Sequence, residues 1–201
     1  MINRLLRIKK VKLVLIIGKD NEKISKFVYE LISEFYSVKK IDYPHFFFGK
    51  LSFLFKDVVL LNGSDVDVLD LSKFLSSFRD VVVLINSNDL NREKEIVSKL
   101  SKENTILVDF ESKSKIPAKR MNKFLSFGTD SDADFYVSDV KTGKKTNFKI
   151  NYDGSSVPVW IDSENSIDDV LGVASGLGVG VLLGVNFVSL TQKLKNSWFI
   201  F

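Results

Sequence analysis

Val11-Lys-Leu-Val-Leu-Ile-Ile-Gly18-Lys-Asp-Asn-Glu-Lys-Ile-Ser25-Lys-Phe-Val-Tyr-Glu-Leu-Ile32 is the stretch that decides the fold. Its first part alternates and then runs wholly apolar, the pattern of a strand buried on both faces, and Gly18 ends it. From Asp20 onward the period changes. Ile24, Phe27, Val28, Leu31, Ile32 and Phe35 recur at three- and four-residue steps, which lines one face of a helix of about four turns. Strand, glycine turn and helix form the opening unit of an α/β layer structure.

The same unit recurs downstream. Val38 to Ile41 reads as a short extended piece before the aromatic stretch Tyr43 to Phe55. Asp57-Val-Val-Leu-Leu-Asn62 reads as a second buried strand, closed by the turn Asn62-Gly-Ser-Asp and followed by a helical face of Val68, Leu71, Phe74, Leu75 and Phe78. Val81 to Ile85 is a third buried strand, Ile96, Val97 and Leu100 mark another helix, and Thr105 to Phe110 supplies a further strand. Short β-branched runs alternating with amphipathic helices predict a mostly parallel sheet flanked by helices. After Pro117 the texture changes. Lys123 to Phe127, Asp134 to Val140, Thr146 to Tyr152 and Val157 to Trp160 are strand-like, separated by polar turns, and read as antiparallel. A helix is expected from Ser166, a break near Asn186 and a short helix to Leu194. The expected organisation is one domain over residues 1–201, with an α/β core at 1–116, a small β-meander at 117–161 and C-terminal helices at 162–201.

Hydrophobic residues make up 45% of the 201 and charged residues 27%, enough apolar side chain for one sizeable core and too much for a disordered chain. The net charge of +4 is carried mainly by lysine, with arginine only at Arg4, Arg7, Arg79, Arg92 and Arg120. Nucleic-acid surfaces exploit the bidentate guanidinium fork, so the lysine clusters read as solvated faces and no nucleic acid is expected as a partner. With no cysteine, disulfides, thiolate metal sites and thiol nucleophiles are excluded. The apolar run Leu13 to Ile17 is too short for a signal-peptide core, and a cytoplasmic location is the expectation.

Val170 to Thr191 holds no charge and carries Gly172, Gly176, Gly180 and Gly184 at a four-residue spacing. Such a stripe suits a transmembrane helix or a soluble helix lying tight against a sheet, since glycine lets backbones approach. Ser175, Asn186 and Ser189 favour the soluble reading, so no membrane span is expected.

Phe127-Gly-Thr-Asp-Ser-Asp-Ala-Asp-Phe135 resembles the segment of Mur ligases in which a strand ends in Phe-Gly and Ala-Asp then opens a β-meander. Asn147-Phe-Lys-Ile-Asn-Tyr-Asp-Gly154 and Val157 to Ile161 are similar to the meander itself. Asn165, the small-residue run to Gly184 and Ser189 to Leu194 resemble the family's Asn-containing turn, alanine-rich helix and final short helix. The resemblance implies the P-loop-like central ATP-binding domain of a Mur ligase, nearest to the type that joins D-alanyl-D-alanine to UDP-N-acetylmuramoyl-tripeptide.

On that resemblance, Leu15-Ile-Ile-Gly-Lys-Asp-Asn-Glu-Lys-Ile-Ser25 sits where the family has its phosphate-binding loop, Gly-Thr-Asn-Gly-Lys-Thr. Gly18, Lys23 and Ser25 are the vestigial nucleotide-loop positions. Glu22 replaces the glycine before the lysine, Ile24 follows it and Ser25 is displaced by one. A carboxylate there repels phosphate, so an ordinary strand-to-helix turn capped by Asp20 or Asn21 is expected. Asn62 stands for the family glutamate near magnesium and Asn86 ends the family's Thr-Asn strand. Both are degenerate metal positions, because an uncharged amide is a poor ligand for a hard cation. Lys94 corresponds to a downstream family lysine that is often carbamylated. His45 reads as a packed or surface histidine, and Asp130, Asp132, Asp134 and Asp139 lack the spacing of a calcium loop.

The expected function is a non-catalytic Mur-ligase-like domain. It would act as a scaffold, or as a binding partner of a Mur-type ligase or another cell-wall enzyme, with no cofactor and no catalytic residue. The alternative is an ATP-dependent peptide ligase subunit that a partner chain completes, with ATP and magnesium bound. The resemblance implies substrate domains on both sides of the central one, and about ten residues precede the first strand here, so ligation by this chain alone is not expected. Trp198-Phe-Ile-Phe201 reads either as a docking strip or as packed on its own domain.

Overall fold

The structure, a computed structural model, describes residues 10–18, 20–42, 53, 55–63, 67–86, 90–117 and 123–196. His45 and the Trp198 to Phe201 tail lie outside them. The strands are β1 (Lys12–Gly18), β2 (Val38–Asp42), β3 (Val58–Asn62), β4 (Asp80–Asn86), β5 (Thr105–Asp109), β6 (Lys123–Gly128), β7 (Phe135–Lys141), β8 (Thr146–Tyr152) and β9 (Ser155–Ile161). The helices are α1 (Asn21–Ile32), α2 (Val68–Leu75), α3 (Leu90–Ser98), α4 (Phe110–Lys113), α5 (Ile167–Leu182) and α6 (Phe187–Asn196). The strands form one sheet in the order β2-β3-β1-β4-β5-β6-β7-β8-β9, parallel through β6 and antiparallel from β7 to β9.

The period of two in β1 sorts its side chains between two cores. Leu13, Leu15 and Ile17 point to the face covered by Leu71 and Phe74 of α2 and Ile96 and Val97 of α3. Val14 and Ile16 point to the other, against Ile24, Val28 and Ile32 of α1 and Val179 and Leu183 at the end of α5. A strand covered on both sides has no solvent face, which is why its sequence runs apolar.

One expectation is overturned. Lys123 to Phe127 was expected to be antiparallel, yet β6 runs parallel to β5, from Thr105↔Lys123 to Asp109↔Phe127. The chain between them is long enough for the crossover a parallel pair requires. The antiparallel meander starts only at β7. β6 and β7 share just two parallel pairs, Phe127↔Phe135 and Gly128↔Tyr136. Asp134 pins this junction. Its carboxylate accepts from the Ser126 N–H at 2.8 Å, the Ser126 hydroxyl at 2.8 Å and the Lys113 ammonium at 2.9 Å.

The small-residue helix α5 lies across the α1 side of the sheet. A Cβ at Gly176 would collide with the Phe27 ring, and one at Gly178 would sit 2.6 Å from Leu107 Cδ2, so glycine sets how closely α5 seats on α1 and on the sheet. A capping box opens the helix, with the Ser166 hydroxyl and the Asp169 carboxylate bonded reciprocally to each other's backbone. At its other end the Leu183 carbonyl accepts from Lys12 Nζ and, at 2.7 Å, from the Tyr36 hydroxyl. Gly184 then turns the chain at φ 98°, and Asn186 Oδ1 accepts from the Val188 and Ser189 N–H groups to start α6. The uncharged segment is thus two helices, and no described helix is long and apolar enough to cross a membrane.

Candidate functional site

The topology brings the carboxyl ends of β3, β1 and β4 side by side. Ile16 pairs with Asn62 and Gly18 with Asn86, so Gly18, Asn62 and Asn86 share one edge of the sheet. The chain leaves β1 toward β2 on one side and leaves β4 toward β5 on the other. Such a divergence opens the crevice in which parallel α/β sheets bind ligands. Gly18 ends β1 at φ 121°, a conformation side chains resist, which accounts for glycine there.

Helix α1 opens at Asn21, three residues beyond Gly18. The expected side-chain cap is absent. Asp20 adopts a left-handed conformation at φ 54°, and its carbonyl, not its carboxylate, meets the helix by accepting from the Ile24 N–H at 3.0 Å. Asn21 does not cap either. Its amide donates to Asn62 Oδ1, tying the start of α1 to the end of β3. Lys23 lies in the first turn of α1 with its side chain 56% exposed, and its ammonium stands 3.7 Å from the Asp169 carboxylate of α5. Burial alone would raise the Asp169 pKa, but the Ser166 hydrogen bonds and the Lys23 charge outweigh it and hold the carboxyl below the usual range. Ser25 is buried, and its hydroxyl has no hydrogen-bond partner among the described residues. The structure therefore gathers Gly18, Asn62 and Asn86, points Lys23 at α5 and buries Ser25 in the core.

Lys94 lies on the exposed side of α3. Its neighbours carry the contacts that sequence reasoning missed. The Arg92 guanidinium donates to the Gly63 carbonyl at 2.9 Å, just beyond Asn62, and Glu93 is fully buried. The signal was available in helical phase. Glu93 precedes Ile96 and Val97 by three and four positions, which places it on the buried face and Lys94 off it.

Further along the same edge, the ends of β5 and β6 border a half-open cavity of about 730 Å³ lined by Asp109, Glu111, Lys113, Thr129, Asp130 and Leu171, among others. Asp109 starts α4 by accepting from the Glu111 N–H at 3.1 Å. Burial, with the neighbouring Glu111 charge, holds its carboxyl above the usual range. Lys113 is turned onto Asp134. Among the described residues no three or more acidic or histidine side chains gather as a metal site.

No protein-family profile matches the sequence, and no curated protein matches it. Solved structures do. The MurF ligase from Thermotoga maritima in complex with ADP superposes with a TM-score of 0.71 at 17% identity, over 94% of this chain and 51% of that one. MurF from Acinetobacter baumannii gives 0.70 at 12% identity, over 98% and 48%. Folylpolyglutamate synthase from Thermotoga maritima gives 0.65 at 11% identity, over 96% and 59%. This chain spans about half the length of the MurF structures it matches. At these identities the likeness speaks for architecture alone, and the conclusion it carries is that the chain has the Mur-ligase fold: a mostly parallel sheet flanked by helices and extended by an antiparallel meander.

Proposed function

We propose that this chain is a non-catalytic domain of the Mur-ligase fold, a scaffold or binding partner for a Mur-type ligase or another cell-wall enzyme. The observation that carries the reading is the Asn21–Asn62 hydrogen bond, which ties the start of α1 to the end of β3. A phosphate loop needs backbone amides curled around an anion, a lysine on the outer phosphates and an anionic ligand for magnesium. Glu22 stands where the pattern Gly-Thr-Asn-Gly-Lys-Thr has the glycine before its lysine, Ile24 follows Lys23, and Ser25 is displaced by one. A carboxylate there repels phosphate where a backbone amide should meet it. The Lys23 ammonium is turned toward Asp169, and the acceptor at the end of β3 is an amide oxygen already held by Asn21.

The alternative, an ATP-dependent ligase subunit completed by a partner chain, draws on the switch-point crevice between β1 and β4, which the fold retains. Thermal unfolding separates the two. The non-catalytic reading predicts an unchanged Tm with millimolar ATP and magnesium. A site filled at a hundred times its Kd would add about 2.7 kcal/mol, a shift of several degrees, and that result favours the ligase.

A further inference from the structure

The β7–β9 meander forms the end of the sheet away from β1, and one of its faces points outward. Register sets two rows across it. Lys141 of β7, Asn147 of β8 and Trp160 of β9 stand opposite one another, and in the next row Ser138, Lys149 and Pro158 do the same. The opposite face is core, where Phe148, Ile150 and Val159 are buried against α5 and α6. Outward, Trp160 on the edge strand is 56% exposed. With Asp139, Lys141, Asn147, Lys149 and Pro158 it borders a shallow groove of about 490 Å³.

The groove has a sign. A register shift between Ser138 and Lys141 puts Asp139 in the left-handed region at φ 54°, and its carboxylate meets the Lys149 ammonium at 2.7 Å. Lys145 pairs with Asp162 at 2.6 Å. Lys141 acts on the Asp139 carboxylate and, with Lys149, outnumbers that one acid in the groove. Lys144 is exposed in the β7–β8 turn and forms no bridge among the described residues, so net positive charge lies beside an exposed indole. Tryptophan is the side chain most often found as an interface anchor, and a charged rim around it selects the partner by complementarity. Pro158 lacks the N–H that a strand added to this edge would use, which favours side-chain docking over sheet extension.

We propose that this face docks an acidic polypeptide segment of a partner protein, with Trp160 as the apolar anchor and Lys141 and Lys144 as the charges that recognise carboxylates. The proposal rests on the binding-partner reading above and names its surface.

The test uses the full chain carrying Trp198→Phe, so that Trp160 is the sole indole, titrated with an oligo-L-glutamate peptide and in parallel with heparin. The expected result is a saturable change in Trp160 emission with the peptide, weakened by salt. Binding should weaken about tenfold in Lys141→Glu/Lys144→Glu and be unaffected by Lys99→Glu/Lys102→Glu in the turn between α3 and β5. Trp160→Ser, followed by calorimetry after its melting curve confirms folding, should weaken it to a similar degree. An absence of saturation overturns the proposal, as does equal loss with the distant lysine pair. Heparin binding that outcompetes the peptide and ignores Trp160→Ser overturns it in favour of generic polyanion attraction. ATP binding with peptide docking intact would sink the non-catalytic reading and leave this surface standing, whereas failure of docking without ATP binding would do the reverse.

Discussion

Two aspartates on the carboxyl edge of the sheet behave oppositely, and pH separates them. Burial pushes the Asp134 carboxyl up, but the bonds from Lys113 and Ser126 outweigh it, so its pKa lies below the ordinary 3.8. A depressed folded pKa contributes stability that is present above the unfolded value and lost as pH falls through the folded one. Asp134→Asn should therefore cost about 2 kcal/mol at neutral pH, the scale of hydrogen bonds to a charged group, with the difference from wild type narrowing below pH 3.8. Asp109 is held above 3.8 by burial and by Glu111, so wild type loses stability as pH rises through that raised value. Asp109→Asn keeps an acceptor for the Glu111 N–H. It should raise Tm at neutral pH and leave it unchanged below the ordinary carboxylate range; a lower Tm at neutral pH would contradict this. Neither role was legible in sequence. The aspartates after Phe127 lack the spacing of a calcium loop, and nothing local to Asp134 names Lys113 or Ser126 as its partners.

At the scale of elements, most of the fold was legible because periodicity reports burial. β1, β3, β4 and β5 are apolar runs since both faces of each are covered, and the helices show one stripe since one face is. The pairing direction of β6 was not legible, because direction depends on what joins two strands, and among the described residues between β5 and β6 the short helix α4 is the one regular element that hints at a crossover. Nor did residue type at the helix start reveal its geometry. Asp20 and Asn21 are good capping residues, yet one capping group is replaced by a backbone carbonyl and the other is drawn away to Asn62. The glycine stripe of α5 gives the prediction proper to this scale. Gly176 faces the ring of Phe27, which has no room to withdraw inside a core shared by α1, α5 and α6. Overpacking of this kind costs about 1–3 kcal/mol, more than the helix propensity that alanine adds. Urea denaturation of Gly176→Ala should show a lower midpoint with an unchanged slope; a higher midpoint would mean that α5 moves away from α1 without penalty.

For the whole molecule, the fold does not by itself fix the chemistry at the β1–α1 turn. The architecture matches that of ADP-bound MurF, while residues at the start of α1 are tied to other elements: Asn21 to Asn62 of β3, and Lys23 to Asp169 of α5. A fold is kept by many distributed apolar contacts, whereas phosphate binding depends on a few charges at one edge and can be lost by changing them. The most direct measurement is a crystal structure of the chain determined after soaking in ATP and magnesium. The account predicts that the Asn21–Asn62 and Lys23–Asp169 contacts persist and that no phosphate density lies at the β1–α1 turn. Triphosphate and a metal ion lodged beside Lys23, with Asn21 released from Asn62, would contradict it.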